Sequence, residues 1–139
     1  QINHADYDAV FYPGGHGPLW DLADDPVSIK LIETFWAQKK PVASVCHGPI
    51  VLKGVKDENG EPLVKGKNVT GFTNDEEAAV KLTDVVPYLI EDVFKGLGAK
   101  YHKADNWKPF MQQDGLLITG QNQVSPGLVV DALLATLKK

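Results

Sequence analysis

The residues best equipped for chemistry stand next to each other: Cys46, the chain's only cysteine, and His47, within the stretch PVASVCHGPIVL at 41–52. The apolar, β-leaning run from Pro41 to Val45 stops at Cys46, and Gly48-Pro49 leads into Ile50-Val51-Leu52, which reads as strand, sharp turn and helix. A nucleophile on such a turn stands clear of the sheet edge, above the free N–H groups and positive dipole end of the helix that follows. A free thiol titrates near ~8.5, and a helix end with an adjacent imidazole is expected to lower that value, making Cys46 a thiolate nucleophile. A lone cysteine also reads as a buried structural residue, but the Cys-His-Gly-Pro context favours the nucleophile.

Three further stretches must be brought to that turn. Pro13-Gly14-Gly15-His16-Gly17 follows the short apolar strand Tyr7 to Tyr12; its glycines leave backbone N–H groups unobstructed, a natural anion or oxyanion cradle, with His16 placed to line a pocket. Asp75, Glu76 and Glu77 form the acidic first turn of a helix that Thr73 or Asn74 caps, after a strand at 68–72. The Asn122 loop follows a strand at 116–119. In a parallel α/β sheet all of these fall at the strand carboxyl ends, where ligand chemistry collects. Gly14, Gly15, His16, Gly17, Gly48 and Asn122 are thus the candidates for oxyanion and substrate binding.

The remaining elements supply the scaffold. Asp25 and Pro26 begin a helix with apolar Val27, Ile29, Leu31, Ile32, Phe35 and Trp36 that stops near 38–40. Residues 53–67 form a hairpin-like excursion turning at Asn59-Gly60. A helix is expected over 84–97 with Pro87 in its first turn and Gly98 as its C-cap, then an edge strand at 100–104, a loop at 105–114 carrying Trp107, and a last helix at 127–137. Strands alternating with amphipathic helices predict an α/β three-layer sandwich around a mainly parallel sheet, in one domain spanning 1–139.

Composition narrows the function classes. A net charge of −4 and a pI near 5.5, with no long basic run, give no footprint for nucleic acid. The apolar runs are far shorter than a membrane span, and one cysteine forms no intrachain disulfide, which points to a reducing cytoplasm. No tight His/Cys spacing suggests zinc, and His4 and His102 have no evident ligand partners, so neither a metal nor an organic cofactor is expected. The first residues run almost directly into a strand, as though the chain began inside a longer gene product.

YPGGHG, ASVCHGP, KGKNVTGFTNDEE and DGLLITGQNQVS, in this order and at these distances, resemble the ThiJ/PfpI superfamily, and within it the branch of heat-shock chaperones and glutathione-independent glyoxalase III (D-lactate dehydratase). The resemblance implies a flavodoxin-like fold of the class I glutamine amidotransferase type. It also implies Cys46 as nucleophile, His47 as its acid/base, Glu77 rather than Glu76 as the carboxylate of the triad, and an oxyanion hole from Gly15 with the Cys46 and His47 amides. Family members begin with a strand-helix-strand region carrying a further glutamate, and nothing in this chain corresponds to it.

The function expected on these grounds is conversion of methylglyoxal to lactate, with chaperone or protein-repair activity beside it. A cysteine peptidase or amidohydrolase with the same triad, and a non-enzymatic holdase or redox sensor, are the rival readings. The partners expected are a small aldehyde substrate and either a second copy of the chain or an N-terminal fragment of the same protein, without which the chain is expected to be nearly inactive.

Overall fold

In the computed structural model, residues 3–138 are described. Strand β1 (Val10–Tyr12) leads through the glycine loop to a one-turn helix α1 (Pro18–Asp21) and then α2 (Pro26–Ala37). Strand β2 (Val42–Val45) runs into Cys46 and a 3-10 turn at Gly48–Leu52; β3 (Asn68–Val69) precedes α3 (Asn74–Ala79). Then come α4 (Ile90–Gly96), β4 (Lys100–Tyr101), β5 (Met111–Asp114), β6 (Leu117–Gly120) and α5 (Pro126–Leu137).

The main sheet has the order β1-β2-β6-β5, with β1, β2 and β6 parallel and β5 antiparallel to β6. Every residue of β2 and of β6 is buried. Successive side chains of a strand point to opposite faces, so complete burial means that both faces are covered, as in a flavodoxin-like sandwich. Helix α5 packs on β6, β2 and β5, and α2 on β2 and the turn at 48–52. Val42, Ala43, Val45, Leu117 and Ile118 form the middle of the core.

Helix α2 starts as its sequence dictates: Asp25 Oδ1 accepts from Val27 N at 2.9 Å, with Pro26 at the first helical position. Elsewhere local chemistry overrides the sequence pattern. The helix expected over 84–97 is confined to α4: Pro87 disfavours the helical region at Val86, and Leu89, the N-cap of α4, is extended at φ −102, ψ 118. The expected loop at 105–114 ends in β5, which forms a hairpin with β6 through Gly115 at φ +61; its sequence, Met-Gln-Gln-Asp, shows no apolar alternation to announce a strand. The expected edge strand at 100–104 shortens to β4, which pairs with β3 in a separate two-stranded sheet. The excursion at 53–67 does turn at Asn59-Gly60, inside a bridge between Lys56 and Pro62. Among the described residues no helix is long and apolar enough to cross a membrane.

Candidate active site

Cys46 occupies a strained elbow. Its φ is +65, a left-handed conformation uncommon for a side chain with a Cβ, and it is held from both sides: Cys46 N donates to Gly120 O and Phe72 N donates to Cys46 O, each at 3.0 Å. The glycines around it serve closeness of approach. A Cβ on Gly48 would lie 2.6 Å from Tyr12 O and 2.9 Å from Pro13 O, and one on Gly14 would lie 2.8 Å from Cys46 Cβ. Gly15 turns the loop at φ +97, and its amide, like that of His47, favours the Cys46 thiolate. Gly17 begins α1.

A continuous hydrogen-bonded line runs from the sulfur. Cys46 Sγ lies 3.4 Å from His47 Nδ1, and His47 Nε2 lies 2.6 Å from Glu77 Oε2. The other oxygen of the same carboxylate, Oε1, lies 2.8 Å from His16 Nε2. An ionised carboxylate only accepts, so both imidazoles donate from Nε2, and neutral His47 is left with Nδ1 as acceptor for the Cys46 thiol. The two imidazole rings lie 3.8 Å apart between centroids with their planes tilted by 36°, and Phe72 lies against His47 at 4.2 Å. His47 and Glu77 are buried, while His16 is the partly open member.

The expected preformed thiolate is corrected by the environment. Burial pushes the Cys46 thiol up to about 11, against the pull of the Gly15 and His47 amides, and the Glu76 and Glu77 carboxylates push the same way. Burial also holds His47 below the ordinary imidazole range, although Glu77 opposes it. The expected helix beneath the sulfur is a five-residue 3-10 turn, too short for a developed macrodipole. The resting pair is therefore a neutral thiol facing a neutral imidazole.

The depressed His47 makes folding pH-dependent. The unfolded chain's imidazole titrates near ~6.5. Below that value the unfolded state binds a proton that the folded state refuses, so this contribution to stability is present above ~6.5 and lost as pH falls through the folded value. Urea midpoints should drop on acidification below about 6.5, and less steeply in His47→Gln, which has no group to titrate.

Glu76 and Asn122 do a different job from the one anticipated for the loop at 122. The Thr73–Glu76 capping box holds α3: Thr73 N donates to Glu76 Oε1 at 3.1 Å and Glu76 N to Thr73 Oγ1 at 3.0 Å. Glu76 Oε2 then accepts from Trp107 N at 2.9 Å and from Asn122 Nδ2 at 2.7 Å. Asn122 is fully buried; its amide also donates to Lys108 O, and its oxygen accepts from Val124 N and Ser125 Oγ. Its polar atoms thus tie Glu76, Lys108 and Ser125 together in a latch. The latch holds Trp107 at φ +64, with its indole 5.9 Å from Phe72, so that an aromatic wall runs from Trp107 through Phe72 to His47. The Thr-x-x-Glu spacing signals the cap from sequence; the tie to Trp107 has no local signal. A separate cleft of about 600 Å³, lined by Trp36, Lys39, Glu58 and Lys67 among others, lies at the amino ends of β2 and β6, away from Cys46.

Residues 1–126 match the DJ-1/PfpI family. Glyoxalase 3 of Candida albicans is 33% identical over 96% of this chain and 59% of its own length. Glutathione-independent glyoxalase HSP31 of Saccharomyces cerevisiae is 34% identical over 90% of the chain and 55% of its own. The crystal structure of the Candida albicans glyoxalase III superposes with a TM-score of 0.91 at 33% identity, covering 97% of this chain and 59% of that one. The Rapid Encystment Protein of Francisella tularensis superposes with a TM-score of 0.95 at 38% identity, covering 98% and 60%. The chain thus spans little more than half the length of these relatives. The matched family model, the identities and the shared fold together show that this chain belongs to the DJ-1/PfpI family.

Proposed function

We propose that the site converts methylglyoxal to lactate without glutathione. The observation that carries the reading is the unbroken line from Cys46 Sγ through His47 to Glu77. The glyoxalases among the relatives, named above, support the same chemistry. In the first step Cys46 gives its proton to His47 Nδ1 as the sulfur adds to the aldehyde carbon; the carbonyl electrons move to oxygen, and the backbone amides receive the oxyanion. Glu77 steadies the imidazolium formed. The hydrogen on that carbon then leaves as a proton and the neighbouring carbon gains one, which gives a thioester of lactate, and water breaks the C–S bond. One carbon is oxidised and its neighbour reduced by the same two electrons, so no external oxidant or reductant enters.

Strand β1 pairs only with β2 among the described residues and is the end of its sheet. That open edge supports association with a second copy or with an N-terminal fragment of the same protein, and the need for a free thiol suits a cytoplasmic setting.

The test is to incubate the purified chain with methylglyoxal and no glutathione, measuring lactate, protection of Cys46 from iodoacetamide, and assembly by native mass spectrometry. Saturable protection is expected, with slow lactate formation from the isolated chain, because a positioned general base contributes ~10² to 10⁴ in rate and the family's further glutamate has no counterpart in this chain. No protection would end the carbonyl reading. Cleavage of chromogenic peptides in its place would make the triad that of an amidohydrolase, and full turnover by a monomer would end the need for a partner.

A further inference from the structure

Two adjacent carboxylates are buried at this site with no cationic side chain between them. Glu76 receives only neutral donors, the Thr73 and Trp107 amides and the Asn122 side chain, and Glu77 receives only the two imidazoles. Among the described residues, no lysine or arginine pairs with either. Buried negative charge of this kind draws a cation. The donor atoms that could hold one are already gathered: His16, His47 and Glu77 each offer a ligand atom, all within 4.8 Å of one another.

We infer that His16 Nε2, His47 Nε2 and the Glu77 carboxylate form a binding site for a divalent transition-metal ion of the zinc class, and that the bound ion removes His47 as proton acceptor for Cys46. Two imidazoles and one carboxylate are a donor set for such an ion, with the fourth tetrahedral position left open. The ligands are held in place before it arrives: α3 fixes Glu77, while Cys46 on one side and Phe72 against the ring fix His47. His16, 32% exposed in its side chain, is the point of entry. Residues 16, 47 and 77 lie too far apart in sequence to show a ligand spacing, so only the fold brings them together. The ion takes the place of the two protons now shared between the imidazoles and the carboxylate. A neutral His47 with Nε2 on the metal carries its proton on Nδ1, where it no longer accepts from the Cys46 thiol. The inference stands on the triad's geometry and does not depend on which carbonyl, or amide, the sulfur attacks.

The test uses the full, tag-free, metal-free chain, titrated with zinc by calorimetry and with cobalt by absorption. One ion per chain is expected, with the visible bands of tetrahedral cobalt and no sulfur-to-cobalt charge-transfer band, and Cys46→Ser should bind as the parent does. His16→Asn, at a partly exposed position where folding is easily verified by circular dichroism, should bind at least ~10-fold more weakly, since even outer partners of metal ligands act on that scale. His102→Asn, a control at an exposed histidine paired with Asn68, should bind like the parent. Undiminished binding by His16→Asn, absence of saturable binding, or a charge-transfer band lost in Cys46→Ser would each overturn this ligand set.

Discussion

Replacing Cys46 with serine should reduce the proposed methylglyoxal turnover by ~10³-fold or more, measured as lactate formed by whichever assembly of the chain is most active. His47 is held below its ordinary range and Cys46 rests at about 11, so the pair depends on proton transfer during attack. A serine hydroxyl is far less acidic than a thiol and asks more of the same imidazole. The parent's labelling rate tests the same picture from the other side. With a neutral resting pair, iodoacetamide labelling should keep rising with pH through the alkaline range, with no plateau near neutrality. A plateau close to pH ~7 would mean a resting thiolate, and burial would then not be the dominant influence on the sulfur.

That outcome separates what was legible in the sequence from what was not. The strand-elbow order, the glycine loop and the acidic helix start are local patterns, and each appears where local chemistry puts it: β2 ends at Cys46, Gly15 takes a left-handed φ, and Thr73 caps α3. Motif resemblance singles out Glu77, and the coordinates place its Oε2 2.6 Å from His47 Nε2 while Glu76 faces the opposite way. Adjacent helical residues differ by about 100° in direction, which is why the two carboxylates part. The sign of the thiol shift was not legible, because it depends on how completely β2, α3 and the 13–17 loop close over the sulfur. The same holds for the second role of Glu77, whose other oxygen meets His16 across 61 positions, and for β5, whose polar residues become a strand only by pairing with β6. Local signals fix caps and turns; burial and long-range pairing decide charge states and partners.

Glu76→Ala should be among the most destabilising substitutions in the chain, costing about 3–5 kcal/mol. The carboxylate is fully buried and receives three donors from three segments: Thr73 N from the start of α3, Trp107 N from the 105–110 loop, and Asn122 Nδ2 from the loop after β6. Alanine leaves all three facing a small void, and each unsatisfied donor costs roughly 1–3 kcal/mol if water cannot reach it. Glu76→Gln keeps one acceptor oxygen but turns an N–H₂ toward donors, so it should fall between the parent and alanine. The loop should respond as well, because the left-handed Trp107 backbone is held there by its N–H bond to Glu76 and by packing on Phe72. Its emission, isolated in a background with Trp20 and Trp36 replaced by phenylalanine, should shift to the red in Glu76→Ala before global unfolding. Removing a negative charge that raises the thiol should also speed Cys46 labelling at pH ~8, opposite to the loss expected if the site simply collapsed. A urea-unfolding loss below ~1 kcal/mol with unchanged Trp107 emission would show that the three donors find water, and that the latch is held by packing alone.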